Sequence, residues 1–184
     1  MRTFIAVPLS SYTKDQLSAY QHDLKSTGAD VKWVHPHNFH VTLNFLGDID
    51  GAVVERIASG LDTLFCEFNP FAVEISGLGL FPNPKRPRVI WAGIGRGSEK
   101  IECIYEQTSR LLGSLGFPFE KKFVPHITLG RFRSLQKARD LMTALVDFSF
   151  VINETITGVS LMESRLRPKG PEYSVLRHFG SSEC

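Results

Sequence analysis

What this chain lacks narrows it quickly. Its 184 residues carry three cysteines, Cys66, Cys103 and Cys184, widely spaced and in no Cys-x-x-Cys pair. An odd, scattered set of that kind excludes a disulfide framework and predicts reduced thiols in the cytoplasm. Tryptophan is scarce, with two residues, and no segment approaches the roughly 18 uninterrupted apolar residues of a membrane span. The opening "MRTFIAVPLS" has one basic residue and a short apolar run. That run is too short for a signal sequence and lacks a small-residue cleavage site, so it reads as a first strand. Net charge is only +2, far from the basic footprint of a protein that coats nucleic acid, though it permits an anionic ligand. There is no His-Glu-x-x-His, and no Ser or Cys sits in a nucleophile-elbow setting.

What is present is a stretch from Asn38 to Gly47, "NFHVTLNFLG". With a period of two, Val41, Leu43 and Phe45 share one strand face, while His40, Thr42 and Asn44 share the other. An imidazole and a hydroxyl then stand about 6.5–7 Å apart at their Cα atoms. The chain repeats the device at "PHITLGRF", Pro125 to Phe132, with His126 and Thr128 on one face. The offset between the histidines is 86 residues, and "RTFIAV" from Arg2 resembles "RVIWAG" from Arg88 at the same offset. A gapped third match pairs Phe71–Phe81 with Phe150–Met162, and the Pro-Lys loops that follow correspond as well. Two copies are too few for a solenoid. They predict a pseudo-two-fold body whose two His-x-Thr strands face each other across a cleft.

Helical periodicity predicts helices over 11–26, 50–65, 98–115 and 134–146, the second capped by Asp50 and the last by Ser134. Strands are expected near 3–9, 31–34, 38–47, 71–80, 89–94, 125–132, 148–157, 158–165 and 174–179, and the tail 180–184 reads as frayed. Several strands adjoin without a helix between them. The expectation is therefore α+β, with two antiparallel or mixed sheets, flanking helices and a central cleft, all in a single domain spanning 1–184.

Two facing histidines can divide labour as base and acid, because an unperturbed pKa of about 6.5 allows both forms near neutral pH. The threonine hydroxyls can hold the oxygens of a phosphorus centre. No carboxylate falls on the motif faces. A duplicated acid/base pair without a nucleophile suits in-line attack of water on a phosphodiester.

The stretches "TFIAVPL", "VKWVHPHNFHVTLNFLGD", "FVPHITLGRF" and "MESRLRPKGPEYSVL" resemble the 2H phosphoesterases over the whole chain, in particular the RNA 2′,3′-cyclic phosphodiesterases, also called 2′-5′ RNA ligases. The resemblance implies a bilobal α+β fold and metal-independent opening of an RNA-terminal cyclic phosphate to a 2′-phosphate, with no cofactor. It implies His40 as proton donor to the 3′ oxygen, His126 as the base that activates water, and Thr42 and Thr128 as phosphate ligands. Arg131 matches the family's arginine after the second motif, where it would counter phosphate charge, but strict alternation puts it on the face of Ile127, so that role needs a twist or bulge at the strand end, the alternative being a solvated surface arginine. The expected partner is RNA ending in a cyclic phosphate, with no membrane and a monomeric chain. The alternatives are a small cyclic-nucleotide phosphodiesterase, a 2′-5′ RNA ligase, or an idle RNA-binding module.

Other side chains have weaker claims. His35 and His37 form a His-Pro-His-x-x-His cluster with His40, but Pro36 and strand geometry scatter the rings, so no metal is expected. His22 and His178 read as surface or packing residues. Lys85, Arg86, Arg88, Arg165, Arg167 and Lys169, in the two Pro-Lys loops, are candidates to rim the cleft. Phe45, Phe132 and Trp33 can stack a base, with core packing the better expectation for Phe45 and Trp33.

Overall fold

Side-chain caps set where two of the helices begin. In the computed structural model, which describes residues 1–118, 122–146, 148–168 and 170–180, the Ser10 hydroxyl accepts a bond from the Thr13 amide at 3.2 Å and opens α1 (Ser11–Lys25). Asp50 accepts from the Val53 amide at 2.9 Å and opens α2 (Gly51–Leu64). Each satisfies an amide that the first turn leaves unpaired. Ser134 does not cap the last helix, contrary to expectation. Its hydroxyl donates to Asp30 at 2.7 Å, and Lys137 lies at φ 52°, a left-handed step that interrupts the helical path. The helix, α4, therefore begins later, at Ala138, and runs to Val146. The remaining helix is α3 (Ser98–Ser114).

The strands are β1 (Arg2–Pro8), β2 (Val31–Trp33), β3 (His40–Asp48), β4 (Phe71–Phe81), β5 (Val89–Ile94), β6 (His126–Phe132), β7 (Val151–Ile156), β8 (Gly158–Arg167) and β9 (Gly170–Gly180). Their order is β7-β4-β5-β6-β3-β1-β8-β9, with β2 added beside β6, and every pairing is antiparallel. The fold is α+β. Its two expected sheets are β7-β4-β5-β6 and β3-β1-β8-β9, joined into one path by a single pair, Val41 with Ile127. Both side chains are fully buried. At about 1.5–3 kcal/mol for each such side chain, against about 1 kcal/mol for a hydrogen bond, apolar burial holds this seam.

The 86-residue offset carries through to three dimensions. It takes β1 to β5, α1 to α3, β3 to β6 and α2 to α4. It takes β4 to β8, yet β4 pairs with β5 while β8 pairs with β1, so each repeat lends a strand to the other's sheet.

The two motif strands also share a defect. Between Thr42 and Asn44, β3 advances two residues while β1 advances one, so Leu43 is a bulge; Leu129 is its counterpart in β6, again 86 residues on. A bulge moves every later side chain to the other face. Two expectations from strict alternation fail for this reason. Asn44 turns away from His40 and pairs with α3, donating to Ser109 at 2.9 Å and accepting from Thr108 at 2.7 Å. Phe45 turns out of the core and is 72% exposed, while Leu46 takes its buried place. β9 is longer than expected because its pairing with β8 runs to the hairpin tip, Arg167 with Gly170. Lys169 and the tail 181–184, with Cys184, lie outside the described residues.

Candidate active site

β3 and β6 carry the two histidines to the seam between the sheets. The His40 Nδ1–H donates to the Asn38 carbonyl at 2.8 Å, and the His126 Nδ1–H donates to the Val124 carbonyl at 2.7 Å. Those carbonyls are again 86 residues apart. Each bond fixes the neutral ring in one tautomer, with Nδ1 as the donor and Nε2 as the acceptor. The His40 Nε2 lies 2.9 Å from the Thr42 hydroxyl, which donates to it. A conspicuous position two residues before each histidine was available in the sequence, but a backbone acceptor leaves no mark in residue identity.

Aromatic rings press on both imidazoles. Phe4 and Tyr173 lie 5.0 and 5.4 Å from His40, while Phe81 and Trp91 lie 5.0 and 6.2 Å from His126, centroid to centroid. Pattern reading missed all four as neighbours, because β1, β9, β4 and β5 are brought there only by strand pairing. Asn38 also ties the β8–β9 hairpin to this place, its side-chain amide donating to the Pro171 carbonyl at 2.9 Å.

Burial sets the proton affinities. Desolvation, the largest effect, with the charges of Lys14 and His126 in support, pushes His40 down to about 4; the Asn38 bond opposes it. His126 is lowered as well, by desolvation and then by the Arg131 charge, against the Val124 bond. Both rings are therefore neutral at pH 7 in the unliganded site. A lowered histidine makes the unfolded chain bind more protons between about pH 4 and 6.5. Stability is then complete above pH 6.5 and declines as pH falls toward 4. For the half-buried His40 this amounts to about 2 kcal/mol, or roughly 4–8 °C in Tm. Calorimetric scans between pH 7 and 4.5 check it: His40→Asn should flatten the slope, and an unchanged slope would show that His40 does not carry it.

A cavity of about 1300 Å³ opens at the seam, with His40, Thr42, Thr128 and Arg131 in its wall. Arg131 reaches the wall past the Leu129 bulge, which offsets the alternation that would have turned it to the core. His126 is not among the wall residues; it stands beside the seam, next to Ile127, whose partner Val41 follows His40 on β3. The displaced Phe45 is also in the wall, at the position 86 residues before Arg131.

The remaining candidates divide. Arg167 joins the wall and pairs with Glu172 at 3.1 Å, whereas Arg165 pairs with Glu163 at 2.9 Å outside it. Lys85, Arg86 and Arg88 are exposed and not in the cavity wall, and Phe132 packs against the core. Trp33, expected in the core, is half-buried at the cavity wall. His35 and His37 lie in the wall too, where His35 Nδ1 accepts from the His37 amide at 3.3 Å. Among the described residues no group of three or more His, Cys, Asp or Glu is placed to hold a metal ion. His22 and His178 are exposed, the latter 3.0 Å from the Ser160 hydroxyl. No described helix is long and apolar enough to cross a membrane.

Comparison with known proteins bears on this geometry. The family described as LigT-like phosphoesterase matches residues 7–91 and 95–173. An RNA 2′,3′-cyclic phosphodiesterase of Methanothermobacter thermautotrophicus is 35% identical over 97% of this chain and 98% of its own. One from Thermotoga maritima is 35% identical over 96% and 93%. Among solved structures, a Thermus thermophilus protein superposes with a TM-score of 0.83 at 28% identity, covering 98% of this chain and 97% of its own. E. coli LigT with bound 3′-AMP shares the fold, with a TM-score of 0.80 at 20% identity over 99% and 98%.

Proposed function

Because this chain belongs to the LigT-like phosphoesterases, we propose that it hydrolyses the 2′,3′-cyclic phosphate at an RNA 3′ end and leaves a 2′-phosphate. The observation that carries this is the matched pair of histidines, each held through Nδ1 by the carbonyl two residues before it, which leaves Nε2 as the nitrogen that can exchange a proton. His126 Nε2 takes a proton from water as the water oxygen bonds to phosphorus. The bond from phosphorus to the 3′ oxygen breaks, and His40 gives that oxygen its proton. Thr42, Thr128 and Arg131 hold the non-bridging oxygens and balance their charge. No step calls for a metal.

The free site has both rings neutral, so the substrate must help to load the acid. A phosphate anion placed against His40 favours its protonated form, and the low polarity that depresses the ring also strengthens that attraction. The exchange of β4 and β8 between the sheets supports one domain, since neither lobe is complete without the other repeat. The exposed thiols of Cys66 and Cys103 support residence in the reducing cytoplasm.

The deciding experiment is incubation of an oligoribonucleotide ending in a cyclic phosphate, with EDTA present. The product should gain the mass of one water, and a phosphatase specific for 3′-phosphates should leave its phosphate in place. Removal of the phosphate by that enzyme would reverse the roles of the two histidines or the orientation of the ribose. Loss of turnover in EDTA would overturn the metal-free scheme.

A further inference from the structure

The cavity is larger than its chemistry needs. Pockets for small ligands run to about 300–1,000 Å³, and this one reaches about 1300 Å³. Its charge is also lopsided. Arg2, Lys25, Lys32, Arg131 and Arg167 stand in the wall against one carboxylate, Glu172. That is a formal +4 on the wall of a chain whose total is +2, so the rest of the surface carries −2.

Much of the excess lies on an arm beyond the histidines, built by β2. Lys32 pairs directly with Arg131 across the β2–β6 ladder. Like charges so placed destabilise a sheet, and among the described residues neither makes an ion pair. Folding alone gives no reason for this pair, and a bound polyanion does. Next to it, Trp33 pairs with Gly130, and the missing side chain is what admits the indole: a Cβ there would meet Trp33 Cε3 at 3.0 Å and Val31 Cγ1 at 2.6 Å. The indole thus rests on bare backbone and remains half-exposed to the cavity, with the Lys25 ammonium 6.0 Å from its centroid. Cations alternating with an aromatic ring along one groove are the means by which proteins hold single-stranded nucleic acid. On β6 the seam with β3 lies at Ile127 and β2 pairs at residues 130–132, so the arm runs outward along β6 from the seam.

We propose that Lys25, Lys32 and Trp33 form a subsite for the nucleotides preceding the terminal one, so that the preferred substrate is a single-stranded RNA end rather than a mononucleotide. This rests on the hydrolytic reading above. Trp33 stacks on a base, and the two lysines meet phosphates. The test compares a nucleoside 2′,3′-cyclic phosphate with a hexanucleotide ending in the same group. Trp33→Ala should raise KM for the hexamer roughly tenfold, the size of one lost base stack, and Trp33→Phe should recover most of it. Lys25→Gln with Lys32→Gln should lower the salt dependence of log KM by about 0.7 for each phosphate that the lysines no longer neutralise. Turnover of the mononucleotide should stay within about twofold in all variants, which also reports that they fold. Equal losses on both substrates, or none on either, would overturn the subsite. A labelled hexanucleotide bearing a 2′-phosphate separates the two readings by fluorescence anisotropy. If wild-type protein hydrolyses neither substrate yet binds this RNA roughly tenfold more tightly than Trp33→Ala, the subsite stands and the hydrolytic reading falls. Equal binding by the two proteins overturns the subsite.

Discussion

His40→Ala and His126→Ala should each lose about 10²–10⁴-fold in kcat, the usual worth of a positioned proton transfer, with little change in KM. The scheme gives no proton transfer to any other imidazole. His35 and His37 share the cavity wall with His40, but the His35 Nδ1 is engaged at the His37 amide. The double variant should fall little below the worse single one, since both groups act on one transition state. Steady-state kinetics on the cyclic phosphate check this. Losses that multiply would mean two independent contributions, and either single variant within tenfold of wild type would end the paired mechanism. Aromatic contacts on both rings make Asn a useful second replacement at each position, because it fills more of the space beneath Phe4 and Phe81 than Ala does.

The pH dependence should be nearly as large. In the free protein both histidines titrate below 6.5, His40 at about 4. Turnover needs one proton shared between them, so kcat/KM should peak on the acid side of pH 6.5 and fall tenfold per unit above the higher pKa. With both groups titrating below 6.5, the loss by pH 8.5 is more than about a hundredfold. The profile of kcat, which reports the loaded site, should lie at higher pH, because the phosphate raises both affinities. Proton uptake on binding a nucleoside 2′-phosphate, measured by calorimetry in two buffers of different ionisation enthalpy, should accompany that displacement and be smaller in His40→Ala, where only His126 remains to take it up. Coincident profiles for kcat and kcat/KM would show that the phosphate does not load the acid.

These two results would rest on features of different visibility. The histidines, the threonines, the 86-residue repeat and the α+β class were readable because each is a matter of residue identity at a fixed spacing, and strand alternation is a local rule. Arg131 was readable only by resemblance, since the rule itself pointed it at the core. The bulges at Leu43 and Leu129 decided otherwise. A bulge is a mismatch between two paired strands, so one strand's pattern does not contain it. The same step exposed Phe45 and sent Asn44 to Thr108 and Ser109.

What the sequence determined by itself was the chemistry on offer: an imidazole and a hydroxyl, duplicated, with no nucleophile or carboxylate on the same faces. What tertiary structure decided was the state of that chemistry. Phe4 and Tyr173, Phe81 and Trp91 come from strands remote in the chain, and they remove water from rings that would otherwise titrate near 6.5. The exchange of β4 and β8 belongs to the same class. Strand pairing is a competition among surfaces separated by scores of residues, won by total burial, and no local spacing records the winner.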